Sequence, residues 1–182
     1  LHHHQARLNI AMHYFFEGTQ PINLLQHLQI PPACRQGIFK CRITYGRQVI
    51  AVDFEAYTPK LITRLKLVDD NSFSYPYKFA DRSLLNVLRE KRGNCDDILI
   101  VKNGLITDTS YSNIVFSDGL RWFTPAKPLL QGTMRSHLLH QGLISEADIA
   151  PSDLHRYHNA RLINAMLPLE TGNDIQTINI VY

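Results

Sequence analysis

Two stretches of this 182-residue chain hold residue types that could do chemistry together. The first is Tyr75-Pro-Tyr-Lys78-Phe-Ala-Asp-Arg82, where a lysine stands just ahead of a helical pattern. A lysine amine is protonated and a poor nucleophile in water, but burial or a neighbouring cation frees it to form a Schiff base with a carbonyl. The second stretch runs from Asp108 to Arg135. It opens on a carboxylate, Asp108, followed by Ser110, Ser112 and Asn113, and closes on Gly132-Thr133-Met134-Arg135 at a helix start. Exposed amides at a helix N-terminus and the helix dipole together favour a phosphate. A carboxylate, small hydroxyls and an amide side chain ahead of such a helix suit an anionic, aromatic, nitrogen-containing cofactor. The lysine suits one held covalently.

The elements that must position these residues follow from periodicity. Residues 4–16 place Leu8, Ala11, Met12 and Phe15 at helical spacing, and a second helical piece is expected from Pro21 to Leu28. Residues 38–57 are two β-rich runs broken at Gly46, a hairpin, and residues 61–70 continue the alternation as a third strand. The turn-rich patch Asn71 to Pro76 marks the boundary between two lobes, 1–75 and 76–182. Beyond it, Asp81 to Arg92 is helical with Leu84, Leu85 and Leu88 on one face and Gly93 as the stop. Four short strands follow at 96–101, 104–109, 112–117 and 120–125, joined through Asn-Gly and Asp-Gly turns. A helix is expected from Thr133 to Gln141, a short one from the capping-box-like Ser145-Glu-Ala-Asp148, and closing strands at 160–167 and 177–181.

Taken in order, these pieces resemble the class IV aminotransferases, the pyridoxal-phosphate enzymes of fold type IV. That family has its Schiff-base lysine in a Lys-x-x-Asn/Asp-Arg context, matched by Lys78-Phe-Ala-Asp-Arg82. It has Glu-x-Ser/Thr-x-Ser/Thr-Asn where this chain has Asp108-Thr-Ser110-Tyr-Ser112-Asn113, so the acid is one methylene shorter. The family's acid stands beside the pyridine nitrogen and keeps the ring an electron sink. Gly132-Thr-Met-Arg135 resembles the Gly-Ile-Met-Arg form of aminodeoxychorismate lyases, and Leu162-Ile-Asn164-Ala165-Met-Leu-Pro168 resembles their Asn-Ala-Leu-Met-Pro strand. His4-Gln-Ala-Arg7-Leu8 fits the family's His-x-x-Arg-Leu, whose arginine binds the phosphate, a task suited to a planar guanidinium fork.

The resemblance therefore implies Lys78 as the catalytic lysine. Around it, Asp108, Ser112, Asn113, Arg7, the amides of Thr133 and Met134, and Asn164 with Ala165 would hold pyridoxal 5'-phosphate. Each piece also has a plainer reading: a surface lysine, a turn aspartate, a packed core asparagine, an arginine behind a tag-derived His2-His3. Their shared order from Arg7 to Pro168 is what makes the resemblance. The segment between Arg7 and Lys78 is shorter than is common in the family. The chain opens on Leu1, and its first lobe is expected to be truncated at its start.

Composition sets the outer bounds. Hydrophobic residues make up 45% and charged residues 19%, as in ordinary globular proteins. A net charge of +3 from scattered basic residues calls for neither nucleic acid nor an acidic membrane. No apolar run approaches the ~20 residues of a membrane helix. The three cysteines lack metal-ligand spacing and suit reduced thiols in the cytoplasm. His137, His140, His155 and His158 form no metal pattern, and neither a Ser-His-Asp order nor a phosphate-binding P-loop is present.

The expected fold is α/β of the α+β type: a small N-terminal α/β sandwich and a larger barrel-like lobe of hairpins and helices, as in D-amino-acid aminotransferase-like enzymes. By resemblance the protein is a homodimer that acts on a small amine or amino-acid substrate. A lyase converting 4-amino-4-deoxychorismate to 4-aminobenzoate and pyruvate is slightly favoured. A transaminase of D- or branched-chain amino acids is the alternative, and a non-catalytic relative that binds pyridoxal phosphate or another anion is the third.

Overall fold

In the computed structural model, which describes residues 1–182, the Leu8, Ala11 and Met12 stripe is buried on helix α1 (His2–Phe15). It packs with Ile22 and Leu24 and against Ile43, Tyr45 and Val49 of an antiparallel hairpin, β1 (Phe39–Tyr45) and β2 (Val49–Ala56). The helix expected at 21–28 is only a 3-10 turn, Leu24–His27. The side chain of Gln5 substitutes for a backbone partner there, donating to Ile22 O at 2.8 Å and accepting from Leu24 N at 2.9 Å. These elements form the first of two units, Leu1–Lys60; the second is Leu61–Tyr182.

The second unit starts earlier than the turn-rich patch suggested. Residues 65–69 do not extend the β1–β2 sheet. As β3 (Leu65–Asp69) they pair in parallel with β4 (Asp97–Lys102), which draws the boundary to Lys60 and leaves the patch inside the unit. The remaining elements are α2 (Ser83–Glu90), β5 (Leu105–Thr109), β6 (Asn113–Ser117), β7 (Trp122–Pro125), α3 (Thr133–His140), β8 (Ser145–Ala147), β9 (Asn159–Ile163), β10 (Ile175–Gln176) and β11 (Ile180–Val181). One sheet has the order β11-β3-β4-β5 and the other β10-β9-β6-β7-β8.

Strand alternation explains the layering. Successive side chains point to opposite faces of a strand. In β4, Leu99 and Val101 enter a core shared with Ile114 and Phe116 of β6, whereas Ile98 and Ile100 face Leu85 and Leu88 of α2. In β6, Val115 faces away from the shared core, toward Leu138 of α3. The unit is thus layered helix, sheet, sheet, helix. Leu84, expected on the buried face of α2, is 74% exposed: it flanks that face, and the β4 side chains Ile98 and Ile100 pack with Leu85 and Leu88 instead.

The Asn103-Gly104 turn has φ of 53° and 76°, the left-handed pair that closes a two-residue hairpin between β4 and β5. Ser145–Ala147 is a strand, not a helix start: the edge of β7 takes it as a parallel partner, with Phe123 opposite Ser145. The helical turn comes later, at Pro151–Arg156, where Asp153 accepts from Ala150 N at 2.9 Å. No helix is long and apolar enough to cross a membrane.

Candidate active site

The lysine lies on an irregular stretch between β3 and α2. Asp70 starts it by accepting from Ser72 N at 3.0 Å, Ser72 Oγ at 2.7 Å and Phe73 N at 2.9 Å. Phe73 is buried, and Tyr75 stacks on it with ring centroids 6.3 Å apart. Tyr75 OH then donates to Phe79 O at 3.0 Å, so the chain is bridged across Lys78. Lys78 itself is exposed, on backbone with no helix or strand geometry. Four residues on, Arg82 Nη2 donates to Ser110 O at 2.7 Å. That bond joins the lysine segment to the turn that follows Asp108.

Asp108, near the end of β5, is 6% exposed. Its Oδ1 accepts from Asn113 Nδ2 at 2.7 Å and its Oδ2 from Leu130 N at 2.9 Å. Burial pushes its carboxyl up to about 6, against the pull of the Leu130 amide, the Asn113 side chain and the Arg135 guanidinium. Each oxygen keeps a further lone pair, so the group can still accept from a ligand. A carboxyl in this range can hold or release a proton near neutral pH.

Asn113 reaches from β6 to the loop before α3. Its Nδ2 donates both to Asp108 and to Leu130 O, the latter at 2.9 Å. Its Oδ1 fills the space where a β-carbon at residue 132 would lie, so the N-cap of α3 has to be Gly132. No side chain caps that helix. Thr133 is buried, Met134 packs partly against the Val115 and Leu138 cluster, and Arg135 is 1% exposed. Arg135 donates to Gln131 Oε1 at 2.8 Å, Pro125 O at 2.9 Å and Glu146 Oε1 at 2.5 Å, which pins both ends of the loop ahead of α3. Its Nε is buried without a partner.

Ser112 and Asn164 meet where β6 and β9 lie side by side, with Asn113 opposite Ile163. Asn164 Nδ2 donates to Ser112 Oγ at 2.7 Å, and its Oδ1 accepts from Met166 N at 2.8 Å. The expected strand through residues 160–167 therefore ends at Ile163, and Asn164 and Leu167 close a tight turn with Ala165 exposed at its tip. Ser112, Asn113, Asp108, Asn164 and the start of α3 are thus linked within the second unit. Arg7 belongs to the first unit, on α1.

Two participants lie outside the sequence motifs. The Leu130 peptide grips both Asp108 and Asn113, and any residue supplies a peptide. Asp97 is fully buried at the start of β4, where it accepts from Ser110 Oγ at 2.9 Å and from Arg89 Nε at 3.2 Å. An acid leading the apolar run of residues 98–101 was the available clue.

A strand-end carboxylate, a clamped asparagine and an uncapped helix behind an obligatory glycine thus lie together in an α/β unit, and comparison with known proteins gives its family. The family model for amino-transferase class IV matches residues 43–169, which hold all these residues except Arg7, and the chain belongs to that family. Its members are enzymes dependent on pyridoxal phosphate.

A Haemophilus influenzae protein known only as uncharacterized is 34% identical over 165 residues, covering 90% of this chain and 88% of its own length. The crystal structure of a provisionally named 4-amino-4-deoxychorismate lyase from Haemophilus somnus 129pt is 36% identical, with a TM-score of 0.86 over 92% of this chain and 89% of that one. The 4-amino-4-deoxychorismate lyase from Pseudomonas aeruginosa shares the fold at 14% identity, with a TM-score of 0.66 over 99% of this chain and 77% of that one.

Proposed function

We propose that this chain binds pyridoxal 5'-phosphate at Lys78 and acts on the α-carbon of an amino-chorismate-like substrate, releasing pyruvate and an aromatic amine. The observation that most supports this is the side chain of Asn113, which ties the Asp108 carboxylate to the loop before α3 and lies against Gly132. The residues fit such a cofactor. An uncapped helix start behind a glycine accepts a phosphate, and a buried carboxyl that titrates near neutrality suits a pyridine nitrogen.

Bound pyridoxal phosphate supplies an electron sink for negative charge at the substrate's α-carbon. Lys78 contributes the amine that holds the cofactor and moves the proton at that carbon. Asp108 holds a proton on the ring-nitrogen side. The amides of Thr133 and Met134 bind phosphate, with Asn164, Ala165 and Arg7 as further donors, and Ser112 and Asn113 keep the strand ends in place. Conversion of 4-amino-4-deoxychorismate to 4-aminobenzoate and pyruvate balances without an added oxidant or acceptor. The same reading takes the protein to be a cytoplasmic homodimer, on family resemblance; light scattering of the purified protein tests the dimer.

The test of function starts with the visible spectrum of the protein incubated with pyridoxal phosphate, borohydride reduction, and mapping of the labelled peptide. Label on Lys78 followed by pyruvate release from amino-deoxychorismate is the expected result. Turnover that requires a keto acid marks a transaminase instead. Bound cofactor with no reaction toward any amine marks a non-catalytic relative, and no label on Lys78 overturns the assignment.

A further inference from the structure

We propose that Arg82 is a positioning residue for Lys78, acting through a clasp in which the half-buried Arg82 and Arg89 hold the buried Ser110 and Asp97; this rests on the reading of Lys78 as the cofactor lysine. Lys78 sits on backbone without regular structure, so its place is fixed by what anchors the segment around it. At the downstream end that anchor is Arg82, whose Nη2 donates to the carbonyl of Ser110 at 2.7 Å. Ser110 is 2% exposed and lies two residues past Asp108, on the turn between β5 and β6. The same bond therefore relates the lysine to the carboxylate.

The clasp continues inward. Ser110 Oγ donates to Asp97 Oδ2 at 2.9 Å, and Asp97 Oδ1 accepts from Arg89 Nε at 3.2 Å. Arg82 stands at the N-cap of α2 and Arg89 in its last turn. The two ends of α2 thus hold the β5–β6 turn and the β4 start. Asp97 is fully buried, and a buried acid is tolerated only with its hydrogen bonds made, which holds the geometry to a single arrangement. The Nε of Arg82 is buried without a partner, so the bond from Nη2 to Ser110 O is what ties this guanidinium to the β5–β6 turn. A positional demand of this kind is strict, because small misplacement of a reacting group slows chemistry steeply.

The test measures how fast pyridoxal phosphate followed by borohydride labels Lys78 in the full chain, by peptide mass spectrometry, with urea midpoints recorded alongside. In Arg82→Met the donor is lost and the apolar stem kept, and labelling at Lys78 is expected to slow at least tenfold in protein that is still folded. Arg82→Lys retains a donor for Ser110 O and should recover to within about threefold of the unaltered chain. Ser110→Ala cuts the link to Asp97 and should slow labelling at least threefold.

A merely structural clasp would lower the urea midpoint and leave the labelling rate of the folded fraction unchanged, and that result overturns the proposal. If Arg82→Met does not fold, an unchanged rate in Ser110→Ala overturns it equally. Absence of label on Lys78 in the unaltered chain overturns the reading of Lys78 itself, and the clasp with it.

Discussion

The side chain of Asn113 occupies the volume that a β-carbon would need at Gly132. One residue on β6 thereby dictates the identity of another at the start of α3, and the contact also sets Asn113 Nδ2 against both Asp108 and Leu130. Gly132→Ala must push the amide aside and break those bonds. We expect a loss of about 2–4 kcal/mol from overpacking and lost buried hydrogen bonds. Urea unfolding checks it. Affinity for pyridoxal phosphate should fall at least tenfold in the same variant, because the first turn of α3 moves with residue 132.

Asp108 should make stability fall as pH rises. Its folded-state carboxyl sits at about 6, above the ordinary 3.8, because burial disfavours the charged form. The folded protein then keeps its proton where the unfolded chain has lost it. This contribution is fully present below about pH 4 and is lost as pH rises through about 6, to a limit of roughly 3 kcal/mol. Comparing unfolding free energies of the protein and of Asp108→Asn from pH 4 to 8 isolates the effect. The difference between them should shift against the unaltered protein on raising the pH; a flat difference refutes it.

Arg135 and Glu146 form an ion pair of unequal partners, with side chains 2% and 50% exposed. Glu146→Gln should cost no more than about 1 kcal/mol, since the carboxylate remains half in water. Arg135→Met should cost about 3 kcal/mol or more, as it unhooks Pro125 O, Gln131 and Glu146 together. Equal losses in the two variants would contradict this asymmetry.

Asn164 offers a test of phosphate recognition apart from stability. In Asn164→Asp the carboxylate can still accept from Met166 N, and the Ser112 hydroxyl can turn to donate to it. Folding stability should therefore change by less than about 1 kcal/mol. A negative charge there should repel a phosphate, lowering affinity for pyridoxal phosphate at least tenfold while leaving pyridoxal, which lacks the phosphate, unaffected. Equal effects on the two ligands would remove Asn164 from the phosphate site.

Much of this arrangement was legible in the sequence because it depends on local chemistry. The left-handed Asn103-Gly104 turn and the glycine ahead of α3 are both signalled by residue type. The alternation that sends Leu99 and Ile100 to different cores is likewise visible in a short apolar run. Tertiary partners were what escaped. Ser145–Ala147 became a strand because β7 had an edge to fill, and β3 left the hairpin sheet because β4 offered a parallel partner. The exposure of Lys78 and the burial of Asp97 are likewise decided by neighbours distant in sequence. Motifs named the residues, and the long-range pairings decided which of them meet.

The sheet order has a consequence for biosynthesis. Ile180 and Val181 pair in parallel with Leu65 and Lys66, about 115 positions away along the chain. A nascent chain leaving the ribosome exposes the outer edge of β3 long before β11 has been made, and that edge, lined by unpaired backbone groups, is open to other strands in the meantime. Closure over so long a loop is also slow. The second unit should therefore complete this sheet only once β11 has been made, with its first strand waiting on its last.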